Sequence, residues 1–240
     1  MYKHLFFDLD NTVWNFDLNS WHAMKRVYLE CGFQDEEYEG FFEIYNRHND
    51  RLWELYRRNG IQKQELARQR FDLTFEEAGI SGISGAEFNE RYLQYMPLQT
   101  RLCDGAHEVL EKLSKRFKLH IITNGFLEVQ HKKLEHSNLR PFFDRIFISE
   151  EIKSPKPSRE IFMHALRNTN ARKRESLMIG DSWDADVIGA MEAGIDQVHY
   201  APHLSDNHFS TLEEQLLAKS STHTYRILSL KELFAIVHIF

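Results

Sequence analysis

The sequence predicts an α/β fold in which a parallel sheet core carries an inserted bundle of α-helices, and three observations predict it. The apolar run Leu5–Phe7 reads as a buried strand and ends in Asp8 and Asp10. The spacing of apolar residues then becomes helical and stays so to about residue 97. From about residue 104 onward, short apolar runs alternate with amphipathic helical segments, which is the pattern of parallel βαβ units.

The helical segment is divided by residues that end helices. Breaks occur at Gly32, at Asn59-Gly60 and across residues 79–82. Between them we expect four helices, Ser20–Cys31, Glu36–Arg58, Lys63–Glu77 and Gly85–Tyr95. Four helices of this length form a bundle.

The remainder of the chain predicts five more strands with helices between them. The strands are Lys118–Thr123, Arg145–Ser149, Leu177–Gly180, Gln197–Tyr200 and Tyr225–Ile227. The helices are Ala106–Arg116, Leu127–Ser137, Arg159–Thr169, Ala185–Ala193, Thr211–Leu217 and Ser229–His238. We therefore expect residues 1–14 and 103–240 to form one sheet domain, and residues 15–102 to form a separate helical domain.

Composition limits the possible partners. A formal net charge of -6 over 240 residues disfavours a nucleic-acid polymer or an anionic membrane as partner, because both require a basic face. No apolar run is long enough to span a bilayer, the first residues lack the pattern of a signal peptide, and Cys31 and Cys103 are isolated. We expect a cytoplasmic protein that is a monomer or a homodimer.

Asp8 and Asp10 are the first candidate site residues. Successive side chains of a strand point to opposite faces, so these two carboxylates project the same way at the carboxyl end of the first strand. Ligands bind at that edge of open α/β sheets. Two carboxylates facing one spot repel each other unless a cation lies between them, so the pair predicts a metal site. An ordinary polar turn and helix cap is the alternative.

Polar residues also follow three later strands. Thr123 and Asn124 offer a hydroxyl and backbone amides that suit a phosphate group, although the segment is equally an ordinary turn. Lys156 supplies an ammonium group for a phosphoryl group, or is simply a solvated lysine. Asp181 and Asp186 add carboxylates that can join Asp8 around a cation, or can cap the next helix.

Taken together and in this order, these motifs resemble the haloacid-dehalogenase superfamily of phosphohydrolases. Asp8–Thr12 matches its first motif, Thr123 the second, Lys156 the third, and Gly180-Asp181 with Asp186 the fourth. The resemblance implies a Rossmann-like parallel sheet core, residues 1–14 and 103–240, that is catalytic, and an α-helical bundle cap domain, residues 15–102. Asn11 departs from the pattern, since glycine is frequent at that position.

The resemblance also implies roles in catalysis and metal binding. Asp8 would be the nucleophile that forms an aspartyl-phosphate, and Asp10 would donate and accept the proton. Mg²⁺ would be the cofactor, held by Asp8, the backbone carbonyl of Asp10 and Asp181. Asp186 would support these ligands and Lys156.

Phosphate and substrate contacts are expected from other residues. By the same resemblance, Thr123, the amide of Asn124 and Lys156 would hold the phosphoryl oxygens. Phe16 and Phe126 follow the first and second motifs closely in the chain, and we expect them to contact the rest of the substrate.

Longer segments narrow the expected substrate. Ile122–Phe126, Ile148–Glu151 and residues 52–60 resemble the nucleotidases that clear noncanonical pyrimidine nucleotides, which implies nucleoside 5'-monophosphates as substrates. Sugar-phosphate or phosphoglycolate phosphatases remain the alternative, because they share the core and differ in the cap. A 2-haloacid dehalogenase is less favoured, since displacement at carbon needs no proton donor such as Asp10. A phosphotransferase and a binding module without turnover also stay open.

Overall fold

Six parallel strands form one sheet in the computed structural model, which describes residues 1–58 and 60–238. Asn59, in the predicted break Asn59-Gly60 and the segment 52–60, lies outside the described residues. The chain divides into two compact units. The α/β unit comprises Met1–Phe16 and the residues from Thr100 onward, and the helical unit comprises Asp17–Gln99.

The strands of the α/β unit lie close to their predicted positions. They are β1 His4–Phe7, β2 Lys118–Thr123, β3 Arg145–Ile148, β4 Ser176–Gly180, β5 Asp196–Tyr200 and β6 Thr224–Ile227. Their order in the sheet is β3-β2-β1-β4-β5-β6, and all neighbouring pairs are parallel. The predicted parallel α/β core is therefore confirmed.

The register of the sheet places three strand ends side by side. Phe7 of β1 pairs with Ile121 of β2 on one side and with Ile179 of β4 on the other. β1 is buried along its whole length, because helices cover both faces of a parallel sheet. The residues that follow β1, β2 and β4 therefore emerge together at one edge, which we call the carboxyl edge.

The helices of the α/β unit alternate with these strands along the chain. They are α5 Ala106–Leu113, α6 Leu127–His136, α7 Ser149–Ile152, α8 Arg159–Thr169, α9 Gly189–Ala193, α10 Thr211–Leu217 and α11 Leu233–Ile236. On one face, Ile161 and Phe162 of α8 and Ala190 of α9 form a buried cluster with Phe6 of β1 and Met178 of β4.

Two predicted α-helices begin as helices of another type. The segment predicted as Ala185–Ala193 starts with a π-helical turn, Trp183–Ile188, and only then becomes α9. Ser182 caps this turn by accepting from the Ala185 amide, and the Asp186 carboxylate bends back to accept from the Ser182 amide. The predicted closing helix Ser229–His238 is a 3₁₀ turn followed by the short α11.

The helical unit consists of helices α1–α4 and is packed through aromatic rings. α1 is Phe16–Glu30, α2 Tyr38–Arg57, α3 Lys63–Ala78 and α4 Gly85–Tyr95, so that α1 starts four residues before its predicted start. Rings from three of these helices meet in its interior, with Phe71 centred 5.1 Å from Tyr45 and 4.9 Å from Phe88. Among the described helices of the whole chain, none is long and apolar enough to cross a membrane.

Candidate active site

Asp8 stands at the centre of the carboxyl edge, directly after β1. Its amide donates to the carbonyl of Ile179 on β4, and its side chain is almost completely buried. The chain then turns sharply, with Asn11 at a φ of 57° in the left-handed region. Asparagine tolerates that conformation better than other residues with a side chain, which explains why it can replace the frequent glycine here.

Lys156 lies between two carboxylates. Its Nζ atom is 2.6 Å from Asp8 Oδ1 and 2.6 Å from Asp186 Oδ1, and all three side chains are buried. Burial by itself would lower the pKa of Lys156, but the two carboxylates outweigh it and the pKa rises. The Asn124 side chain fixes this loop, because its amide donates to the Lys156 carbonyl and accepts from the Lys156 backbone N–H.

The segment after β4 brings Asp181 and Asp186 to the same edge. A Cβ atom on Gly180 would come within 2.2 Å of the Asp186 carboxyl carbon, so glycine is needed for Asp186 to fold back. The hydroxyl of Thr12 donates to Asp181 Oδ1 over 3.3 Å and accepts from the Asp181 amide over 3.0 Å. Thr12 thereby ties the first motif to the fourth.

These carboxylates fit a hard divalent cation. One oxygen from each of Asp8, Asp181 and Asp186 lies within 4.8 Å of the others. Burial raises the pKa of Asp8 to about 7 although Lys156 opposes the shift, and burial together with Asp8 raises the pKa of Asp181 well above its ordinary value. With Asp10, four carboxyl groups face two lysines, so full ionisation leaves an excess of two negative charges. An all-oxygen donor set with surplus negative charge is what Mg²⁺ requires.

The Asp10 carboxylate is engaged by helix α6. Oδ1 lies 2.6 Å from Lys133 Nζ, and Oδ2 accepts from Gln130 Nε2 over 2.9 Å. Gln130 Nε2 also donates to Thr123 Oγ1 over 2.7 Å, and the Gly125 amide donates to the same hydroxyl over 3.2 Å. Since Thr123 accepts both of these bonds, its own hydroxyl proton remains a donor for a phosphoryl oxygen.

Gln130 and Lys133 belong to none of the four motifs, and the sequence reasoning missed them. A lysine in a helix is usually exposed to solvent, so the sequence did not predict a buried role for Lys133. The sequence did contain one indication that these two residues are buried. Both lie on the same side of α6 as the apolar residues Val129 and Leu134. Two polar residues on the apolar stripe of a helix need a buried partner.

The two aromatic candidates lie in different surroundings. Phe16 is half-buried at the start of α1, with its ring centre 5.2 Å from Lys133 Nζ. Phe126 is 5% exposed and immediately precedes α6, where its carbonyl accepts from the Val129 and Gln130 amides. Phe16 is thus next to the Asp10 pair and keeps exposed surface, whereas little of the Phe126 ring remains accessible.

Comparison with known proteins agrees with this geometry. The family model described as "Haloacid dehalogenase-like hydrolase" matches residues 5–199. The chain is 36% identical over 210 residues to the pyrimidine 5'-nucleotidase PynA of Streptococcus pneumoniae, covering 86% of this chain and 87% of the relative. It is 32% identical over 194 residues to the pyrimidine 5'-nucleotidase YjjG of Escherichia coli, covering 80% and 82% respectively.

A solved structure is similar over the full length. The crystal structure of the putative HAD-hydrolase YfnB from Bacillus subtilis bound to magnesium superposes with a TM-score of 0.85, at 28% identity and 99% coverage of both chains. The family model matches most of the chain, and two relatives that are more than 30% identical match at least 80% of it. This chain therefore belongs to the haloacid dehalogenase-like hydrolase family.

Proposed function

We propose that this chain is a Mg²⁺-dependent phosphomonoester hydrolase that works through an aspartyl-phosphate intermediate, and that its substrates are nucleoside 5'-monophosphates with a pyrimidine base. One observation carries the proposal. Asp8 and Asp10 follow β1 together, and each is held by a different buried lysine, Lys156 for Asp8 and Lys133 for Asp10. One carboxylate is thereby available to attack and the other to move a proton.

The reaction divides into two displacements at phosphorus. In the first, an oxygen of Asp8 bonds to phosphorus while the bond to the ester oxygen breaks, and Asp10 gives its proton to the departing alkoxide. In the second, Asp10 takes a proton from water as the water oxygen bonds to phosphorus, which releases phosphate and regenerates the Asp8 carboxylate. The split replaces one difficult step with two easier ones.

Other residues at the carboxyl edge bind and orient the phosphoryl group. The Thr123 hydroxyl, the Asn124 backbone amide and the Lys156 ammonium are the donors we assign to its oxygens. Asp8, Asp181 and the Asp10 carbonyl would hold Mg²⁺, with Asp186 in support. When bound, Mg²⁺ supplies positive charge that offsets the negative charge of the phosphoryl group.

The substrate assignment rests on the relatives and on the sequence resemblance of three segments. Two relatives that match at least 80% of this chain are named pyrimidine 5'-nucleotidases. We assign the helical unit the role of the cap that discriminates among leaving groups, and Phe16 and Phe126 the role of contacts to the nucleoside. A sugar-phosphate or phosphoglycolate phosphatase would use the same catalytic residues, so the leaving group must be determined by experiment.

The test is phosphate release from a panel of nucleotides and sugar phosphates, with Mg²⁺ and with chelator. The proposal predicts release that needs Mg²⁺, is fastest for pyrimidine 5'-monophosphates and is lost in Asp8→Asn. Fastest release from a sugar phosphate would reject the nucleotide assignment and keep the mechanism. No release of phosphate from any ester by folded, Mg²⁺-loaded protein would reject the hydrolase altogether.

Two further products distinguish the remaining alternatives. Halide release from a 2-haloacid would indicate a dehalogenase, in which Asp8 attacks carbon. Transfer of the phosphoryl group to an added alcohol, at the expense of free phosphate, would indicate a phosphotransferase.

A further inference from the structure

Lys133 is an unusual residue for its position, because it is a lysine on a helix and only 1% exposed. Its Nζ atom lies 4.3 Å from the ring centre of Trp14 and 5.2 Å from that of Phe16, and 2.6 Å from Asp10 Oδ1. Two aromatic faces and one carboxylate therefore surround the ammonium group. Placing a lysine here costs free energy that a purely structural apolar residue would not cost, which points to a use for the charge.

Gln130 completes the arrangement from the same helix. It lies three residues before Lys133, so both side chains leave α6 on one face. Lys133 donates to one carboxylate oxygen of Asp10 and Gln130 donates to the other, so both oxygens are bound by α6. Gln130 also donates to Thr123, the residue we assign to the phosphoryl group.

The backbone makes room for this contact. A Cβ atom on Gly125 would lie 2.3 Å from both Cδ and Nε2 of Gln130. Real Cβ atoms do not approach other atoms so closely, so the turn after β2 needs glycine for Gln130 to reach Asp10 and Thr123. Gly125 thus leaves the space that Gln130 needs to bind the Asp10 carboxylate from α6.

We propose that Lys133, together with Gln130, is a positioning residue that holds Asp10 in place for proton transfer and stabilises the negative charge that develops on Asp10 as it protonates the leaving group. The inference rests on the proposed function, since it assigns Lys133 to the reaction in which Asp10 moves the proton. Lys133 acts through Asp10 and makes no bond to the substrate.

The proposal predicts a dependence on the leaving group. A nucleoside 5'-monophosphate releases a strongly basic alkoxide that needs a proton, whereas p-nitrophenyl phosphate releases a phenolate that leaves without one. Lys133→Met keeps the approximate volume and removes the charge. Its kcat/KM for uridine 5'-monophosphate should fall by about 10²-fold, and its kcat/KM for p-nitrophenyl phosphate by less than about fivefold, because general acid help matters only for the first ester.

A second signature concerns the phosphoenzyme. Hydrolysis of the aspartyl-phosphate needs Asp10 as a base whichever ester formed it. With p-nitrophenyl phosphate, Lys133→Met should therefore release p-nitrophenol in a burst equal to the enzyme concentration and then turn over slowly. Asp10→Asn should show the same leaving-group preference and the same burst.

The matched control is Lys132→Met. It removes the same charge from the adjacent position of α6, where the side chain is exposed, and it should keep the wild-type ratio of the two kcat/KM values. Gln130→Leu is a second test that does not depend on whether Lys133→Met folds, and it should shift the ratio in the same direction by about tenfold.

The outcomes separate this inference from the proposed function. Wild-type protein that releases no phosphate from either ester would overturn both. Active wild-type protein with equal losses on the two esters in Lys133→Met, or with no loss, would overturn the positioning role and leave the hydrolase intact. If Lys133→Met does not fold, an unchanged ratio in Gln130→Leu overturns the role instead.

Discussion

The two units each bury basic side chains, but they neutralise them differently. In the α/β unit, the ammonium groups of Lys156 and Lys133 lie 2.6 Å from carboxylate oxygens. In the helical unit, Arg70 is only 3% exposed, and the side-chain hydrogen bonds of its guanidinium, within the described residues, go to neutral oxygens of one tyrosine and two asparagines. Both units thus contain a buried charge, and only the α/β unit surrounds it with opposite charges.

The carboxyl edge is therefore distinguished by unbalanced charge, since burial of charge alone is common to both units. At the carboxyl edge the carboxylates outnumber the lysines, so binding of a cation is favourable there. Around Arg70, the rings of Phe71 and Tyr92 and the neutral hydrogen bonds form a local structural network. We therefore expect a metal ion to affect variants of the α/β unit and to leave those of the helical unit unchanged.

The largest effect is expected from Lys156→Met. The substitution removes the ammonium group that lies between the carboxylates of Asp8 and Asp186. Loss of one partner of a buried ion pair lowers the unfolding free energy by about 3–5 kcal/mol. Mg²⁺ should recover part of that loss, because it supplies positive charge to the same carboxylates. Urea unfolding with Mg²⁺ and with chelator measures both quantities.

Lys153→Met is the control for this variant, since Lys153 is exposed and lies in the same loop. It should change the unfolding free energy by less than about 0.5 kcal/mol. If Lys156→Met in chelator were as stable as wild type, the carboxyl edge would not have the charge imbalance described above.

Mg²⁺ itself should stabilise the wild-type chain by the next largest amount. A ligand at 100 times its dissociation constant adds about 2.7 kcal/mol to the unfolding free energy. Asp181→Asn should abolish this gain, whereas Asp184→Asn, an exposed aspartate three residues further on, should keep it. Equal Mg²⁺-dependent gains in the two variants would place the cation elsewhere.

Arg70→Met tests the buried charge of the helical unit. It removes hydrogen bonds from a charged donor to Asn49 and Asn89, which should cost about 2 kcal/mol. Mg²⁺ should not recover the loss. Arg68→Met removes an exposed pair with Asp72 on the same helix and should cost less than about 0.5 kcal/mol. If Mg²⁺ restored the unfolding free energy of Arg70→Met, the two units would not differ in their response to the cation.

Much of the α/β unit could be predicted because its signals are local. The apolar runs that form β1, β2 and β4 are short and end in polar residues, and parallel pairing then brings Asp8, Thr123 and Asp181 to one edge. The helical period likewise predicted four helices at nearly their observed bounds. The start of α1 at Phe16 was missed because the apolar period is weak there.

What could not be predicted depends on contacts between distant parts of the chain. Asp10 and Lys133 are 123 positions apart, and no local sequence pattern predicts that their side chains contact each other. The π-helical turn that contains Asp186 was not predicted either, because it accompanies a contact with Lys156, 30 positions earlier, and a close approach to Gly180. The motifs therefore predicted that Asp8, Thr123, Lys156 and Asp181 lie near one another, but not that Gln130 and Lys133 join them.

A third way of burying a polar group is found inside the sheet, and its effect on stability depends on pH. His4 and His120 contact each other through ring nitrogens 3.0 Å apart, and burial, followed by the neighbouring His4, lowers the pKa of His120 to about 3. The unfolded chain, with an ordinary histidine pKa, binds more protons between these values, so stability falls as pH drops below about 6.5. Between pH 7 and pH 5 the loss attributable to His120 is about 2 kcal/mol. The unfolding free energy of His120→Gln should depend less steeply on pH over this range. His203→Gln, which changes an exposed histidine, should keep the wild-type slope. Identical slopes for all three proteins would mean that His120 is protonated as readily in the folded state as in the unfolded chain.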